Sequence, residues 1–192
     1  LIHETRAENR LELEKMGKVP MAGTAFEYPT APLGERFGDL EITAEMIDAH
    51  ALRVGGGTAG EGINRVQIDL IAGGKETPLG DAYALQMTYP MHRRQALTAI
   101  LEPALTVRPP TLVLPTLPQR NLRQANMIYG PTQSALARAI VEAVEGGRIP
   151  PEAVDSDVMI ALATVHPRAL DRHALFESVH AAAAKALEQA FA

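Results

Sequence analysis

The chain has no cysteine and no tryptophan, and only four phenylalanines and four tyrosines among its 192 residues. Without thiols there can be no disulfide, no thiolate nucleophile and no cysteine-bound metal, and the composition fits a reducing compartment. No apolar run reaches the length that crosses a bilayer, which excludes a transmembrane helix within the stretch given. Basic residues are the minority, 18 against 23 acidic for a formal net charge of −5, and no long basic run is present. This argues against a nucleic-acid partner. A starting methionine is also missing. An upstream segment is therefore expected to have been removed or left out, and any targeting signal with it; the cytoplasm is the expected location.

What the chain does have is 46% hydrophobic residues, enough at this length to fill one core. The expected division is an N-terminal arm over residues 1–50 and a single domain over 51–192. Residues 1 to about 17 are charge-rich and helix-favouring but carry no apolar stripe, which predicts a peripheral helix or arm. From Val19 to Asp39 the chain is rich in proline and glycine around Met21, Phe26 and Tyr28, and reads as an extended segment laid over a surface. Thr43 is placed to cap a short helix over Ala44 to Asp48. The glycines of "RVGGGTAGEG" suggest a phosphate loop, but no GK[ST] follows and the next element is a strand; a turn between two strands is expected.

In "NRVQIDLIAGG" the alternation places Val66, Ile68 and Leu70 on one face of a strand, with Gln67 and Asp69 together on the other. Such a polar pair faces either water or a pocket. Pro78 then opens a helix running to about Tyr89, "QALTAILEP" and "PPTLVLPT" read as strands, and Pro115 makes the second an edge strand or a short one. Between Asn121 and Gly146 two helical pieces are expected, with Gly130 as a stop and Pro131 as a fresh first turn. Leu136, Ile140, Ala143 and Val144 form the core stripe of the second piece. "DVMIALATVHP" is a continuous apolar run, read as the most buried strand, and Asp171 starts a last helix whose stripe is Phe176, Val179, Ala183 and Leu187. The element order predicts a two-layer α/β sandwich.

Six histidines are the first candidates for proton chemistry. His173 and His180, seven residues apart on one helix, are too far apart to chelate as an i, i+4 pair would, and a solvent-facing role is expected for both. His92, in a polar loop before a strand, and His166, just past the end of the buried one, are the better candidates. Metal-ligand spacing is absent, so no metal is expected, and no serine sits in a nucleophile-elbow context.

From about Val54 to Ala192 the sequence resembles the formaldehyde-activating enzyme family, which condenses formaldehyde with tetrahydromethanopterin to give the methylene derivative and water. The resemblance rests on "IDLIAG", close to the family's "HIDLIIG" strand, on "YGPTQ", close to its "MFGPAQ" helix, and on "IVEAVEGGRIP" with its "GIIP" exit. It implies an α/β sandwich of the ribosomal protein S5 domain 2 kind, assembled as a homopentamer with the pterin in clefts between subunits. The family's proton donor, the histidine immediately before "ID", falls at Gln67. Its pterin-contacting aspartate is matched by Asp69 and the glutamine of its "GPAQ" helix by Gln133. A pterin-contacting leucine falls at Thr98, a lysine at Thr116 and a threonine at Pro118.

The resemblance therefore implies a divergent member of one-carbon metabolism that binds a tetrahydromethanopterin-like ligand through Asp69, Thr98, Thr116 and Gln133, with the lyase activity weakened or lost at Gln67. Two further readings stand beside it. In one the chain is an active carbon–nitrogen lyase whose acid is Asp69, His92 or His166; in the other it is a formaldehyde or pterin sensor, or a structural partner of active relatives, using the arm for contact.

Overall fold

The structure, a computed structural model, describes residues 26–88 and 95–192. The charge-rich arm of residues 1–17 and His92 lie outside the described residues. Seven strands and six α-helices are found among the rest. They are β1 (Arg53–Ala59), β2 (Val66–Gly74), β3 (Leu97–Thr98), β4 (Ile100–Glu102), β5 (Leu105–Thr106), β6 (Thr111–Pro115) and β7 (Asp157–Val165), with α1 (Ala44–Ala49), α2 (Pro78–Thr88), α3 (Leu122–Met127), α4 (Gln133–Glu145), α5 (Pro151–Ser156) and α6 (Arg172–Ala190).

Five strands form a mixed sheet in the order β1-β2-β7-β6-β3, and β4 and β5 form a separate small hairpin. The apolar run of β7 lies at the centre, antiparallel to β2 and parallel to β6, as its lack of a polar face requires. β6 is short, as Pro115 predicts, but it is not an edge, because the two-residue β3 pairs outside it. "QALTAILEP" does not form one strand: pairing breaks at Ala99, and Ile100 turns away into the hairpin.

One face of the sheet, built by Val66, Ile68, Leu70, Val113, Met159, Ala161 and Ala163, packs on Leu136 and Ile140 of α4 and on Leu175, Val179, Ala183 and Leu187 of α6. The second face is not left to solvent. Phe37, Leu40, Ile42, Ile47 and Leu52 cover Ile71, Leu112, Val158 and Ile160, together with Leu79 and Ala82 of α2. The segment that reads as laid over a surface does so from Phe26 onward, held by fully buried Phe37 and Ile42. Thr43 caps α1 by accepting from the Met46 amide, and Asp171 caps α6 by accepting from the His173 and Ala174 amides, as their positions predict.

Two expectations are corrected. Gly55, Gly56 and Gly57 are not in a turn but inside β1. A Cβ at Gly55 would lie 1.9 Å from the Ala186 carbonyl oxygen, and one at Gly57 1.9 Å from that of Ala182. The glycines let α6 rest on bare strand backbone, and Ala182, Ala186 and Ala190 form the matching small-residue stripe, buried like the larger one. At "YGPTQ" the helix does not stop: Ile128–Thr132 forms a π turn between α3 and α4. The wider turn accommodates Pro131, which lacks an N–H, and the Ser134 hydroxyl donates to the Gly130 carbonyl at 2.9 Å. Among the described residues no helix is long and apolar enough to cross a membrane.

Candidate functional site

The second face of the sheet divides into an apolar end and a polar end. Register sets Gln67 of β2 beside Thr164 of β7, and Thr164 meets the hydroxyl of Thr116, just past β6, at 2.9 Å, so a polar row runs from β2 across β7 to the end of β6. One step further in, Asp69 lies beside Leu162, and Leu162 beside Leu114. Neither member of the Gln67 and Asp69 pair faces water: they are 5% and 1% exposed. Asp69 lines a pocket, and Gln67 is buried beside it without lining that pocket.

A buried carboxylate needs partners, because desolvation penalises the bare charge. Arg36 donates to Asp69 Oδ1 through Nη1 at 2.6 Å, while its Nε donates to the Ala31 carbonyl at 2.7 Å. Gln67 Nε2 donates to Asp69 Oδ2 at 3.0 Å, with Oδ1 at 3.3 Å, so the amide is engaged with the carboxylate. Gly56 sits opposite Asp69 in register, and a Cβ there would come within 3.3 Å of Asp69 Oδ1 and 3.7 Å of Arg36 Nη1. The missing side chain keeps the path of Arg36 open. Around this pair lies a cavity of about 190 Å³ lined by Pro29, Ala31, Arg36, Asp39, Leu40, Asp69, Gln86, Leu114, Pro115, Thr116 and Leu162.

Sequence reasoning missed Arg36, Asp39 and Gln86. Arg36 and Asp39 come from a segment with no motif around them. Gln86 had a signal, since with Leu79 and Ala82 it continues the buried face of α2 and is the polar residue on that stripe.

The remaining candidates lie elsewhere in the chain. Gln133, the first residue after the π turn, donates through Nε2 to the Thr98 carbonyl at 2.5 Å. It faces an open cavity of about 530 Å³ with Tyr129, Arg172, His173, Phe176 and the β4–β5 hairpin. Gly130 makes room there for Arg172, whose Nη2 would be 2.5 Å from a Cβ. His166 and Pro118 line a third and smaller cavity of about 30 Å³, which shares Pro115 with the Asp69 cavity. The His166 Nδ1 accepts from the Arg168 amide at 3.1 Å, and Phe26 packs edge-on against its ring. Burial, followed by the Arg168 charge, pushes the imidazole pKa down, so it favours its neutral form. His180 contacts Glu142 at 2.8 Å and His173 is exposed, both away from Asp69. One chain thus brings Gln67, Asp69 and Thr116 into one group and Thr98 and Gln133 into another, with His166 apart from both.

The family profile described as Formaldehyde-activating enzyme (Fae) matches residues 54–192. The chain is 35% identical over 138 residues to a bifunctional enzyme Fae/Hps of Archaeoglobus fulgidus, covering 72% of this chain and 35% of that protein. A bifunctional enzyme Fae/Hps of Methanococcoides burtonii is 34% identical over 137 residues, covering 71% and 35%, and one of Methanosarcina mazei is 33% identical over 138 residues, covering 72% and 35%. The chain spans about a third of the length of these curated relatives. Arg36 and Asp39 fall before the matched region, while Gln67, Asp69 and Gln86 fall within it.

Proposed function

The chain belongs to the formaldehyde-activating enzyme family, and from that premise we propose that it binds a tetrahydromethanopterin-like pterin through Asp69, with the family condensation weakened because Gln67 stands in place of the proton donor. The single observation that carries this reading is the buried Asp69 carboxylate, which lines a cavity with Thr116 and accepts from the Gln67 amide enclosed behind it.

Condensing an amine nitrogen with formaldehyde gives a carbinolamine, and closing the methylene bridge expels its hydroxyl as water. That step calls for a proton on the leaving oxygen, and a positioned acid contributes roughly 10²- to 10⁴-fold. A carboxamide has N–H groups to hydrogen-bond with but is no acid at neutral pH. The Gln67 Nε2 is also turned onto Asp69. What the site retains is proximity: holding pterin and aldehyde together removes part of the entropic barrier.

The two residue groups fit a cleft completed by a neighbouring subunit, with Asp69 and Thr116 on one side and Thr98 and Gln133 on the other. This arrangement favours a homo-oligomer, a pentamer by resemblance, of sandwich subunits of the ribosomal protein S5 domain 2 kind working in the cytoplasm. The division into an N-terminal arm or extension of residues 1–50 and a formaldehyde-activating-enzyme-like domain of 51–192 belongs to the same proposal.

Titration calorimetry with a reduced pterin tests the reading. Wild-type protein is expected to bind, and Asp69→Asn to bind about tenfold more weakly or worse, because a charge-assisted acceptor is lost. Wild-type protein that binds no reduced pterin would contradict it.

A further inference from the structure

Gln86 is 4% exposed, lines the Asp69 cavity from α2, and makes no hydrogen bond to any described residue. The side chain is buried but its amide is not sealed in the core, so it opens on the cavity and is placed to pair with what fills it. Arg36 lines the same cavity with its orientation fixed at two points, Nε on Ala31 and Nη1 on Asp69, and its other guanidinium N–H groups are not used by those two bonds. Phe37, the next residue, is fully buried, so Arg36 is delivered by a seated segment.

We propose that Gln86 is a specificity-determining residue that reads the amide edge of a neutral heterocycle, an N–H beside a C=O, with Arg36 fixing the carboxylate next to it. The proposal rests on the pterin reading of Asp69 and deepens it. Charge on the cavity wall selects the class. Asp69 and Arg36 line it as an ion pair, so the carboxylate opposes an anion and the guanidinium opposes a cation. A carboxamide presents a donor and an acceptor side by side, the complement of a lactam edge. Because it can rotate end for end, it also accepts the edge in which the ring carbonyl becomes an amino group. A carboxylate at the same position accepts only; the diamino edge, by taking a proton on its ring nitrogen, offers two donors to it, while the lactam edge keeps an opposing carbonyl, so the carboxylate favours the diamino ligand.

The experiment compares the binding of a tetrahydropterin and of its diamino analogue, in which an amino group replaces the ring carbonyl, to wild-type protein and to Gln86→Leu and Gln86→Glu. Gln86→Leu is expected to weaken both ligands by about tenfold, the worth of one hydrogen bond to the ligand edge left unmade. Gln86→Glu is expected to shift the preference by about tenfold or more toward the diamino ligand. A general packing defect would weaken both equally, so the ratio in Gln86→Glu stands even where Gln86→Leu folds poorly. An unchanged ratio in Gln86→Glu overturns the proposal and leaves pterin binding standing. Wild-type protein that binds neither ligand overturns the pterin reading and this inference with it.

Discussion

Alanine at both Gly55 and Gly57 is expected to leave the chain unable to reach its native fold. Each added Cβ would sit 1.9 Å from a backbone carbonyl oxygen of α6, at Ala186 and Ala182 respectively, and the next contacts at both sites are also backbone atoms. Overpacking against side chains that can rotate costs about 1–3 kcal/mol. Backbone offers no such relief, so each site is expected to cost about 3 kcal/mol or more by the same reasoning. Two such losses approach the whole stability of a domain, about 5–15 kcal/mol. The damage would spread, because α6 also carries Leu175, Val179 and Leu187 into the main core. Gly38→Ala provides the control, since nothing lies within 4 Å of a Cβ there. Chemical denaturation of the three single variants and the double variant checks the ranking; a double variant as stable as Gly38→Ala would contradict the packing of α6 on β1.

Arg36→Met is expected to have the next largest effect, and on stability as well as binding. It removes the shorter of the two contacts that Asp69 keeps, leaving a carboxylate only 1% exposed with the Gln67 amide alone. Breaking a buried pair by deleting one partner costs about 3–5 kcal/mol. Arg36 keeps 21% of its side chain exposed, so solvent screens the pair, and about 2–3 kcal/mol is the expectation here. Arg36→Lys should recover only part of this, because an ammonium cannot hold the Ala31 carbonyl and the Asp69 carboxylate at once. Asp69→Asn in the Arg36→Met background should recover more, since the unpaired charge is then gone. A cycle of these variants followed by urea unfolding measures the coupling; additive effects would show that the pair makes no interaction in solution.

These two sites mark how far the sequence could be read. The alternation of β2, the central burial of β7 and the caps at Thr43 and Asp171 follow from local rules of period and side-chain chemistry, and the fold keeps them. The glycines of β1 were not legible as strand because glycine has low strand propensity; what holds them there is the close approach of a helix more than a hundred residues later in the chain. Pro131 reads as a break, yet tertiary packing of Ile128 and Thr132, both buried, keeps the chain helical through a π turn. At the candidate site, β2 shows its own polar pair but not the partner. Arg36 is thirty-three residues from Asp69, and no spacing rule connects an arginine in a proline-rich segment to a carboxylate in a strand. The separation of Gln133 from Asp69 was equally invisible, because a family likeness orders residues along a chain and says nothing of which share a wall within one subunit.

The central claim is that this site holds a reduced pterin but lacks the acid that completes the condensation. Rates of methylene-tetrahydromethanopterin formation from formaldehyde, measured for wild-type protein and Gln67→His side by side against the uncatalysed reaction, test it most directly. The account predicts a wild-type rate close to the spontaneous one and a rise of roughly 10²-fold or more on installing the imidazole. Wild-type protein that accelerates the reaction as strongly as Gln67→His would contradict it.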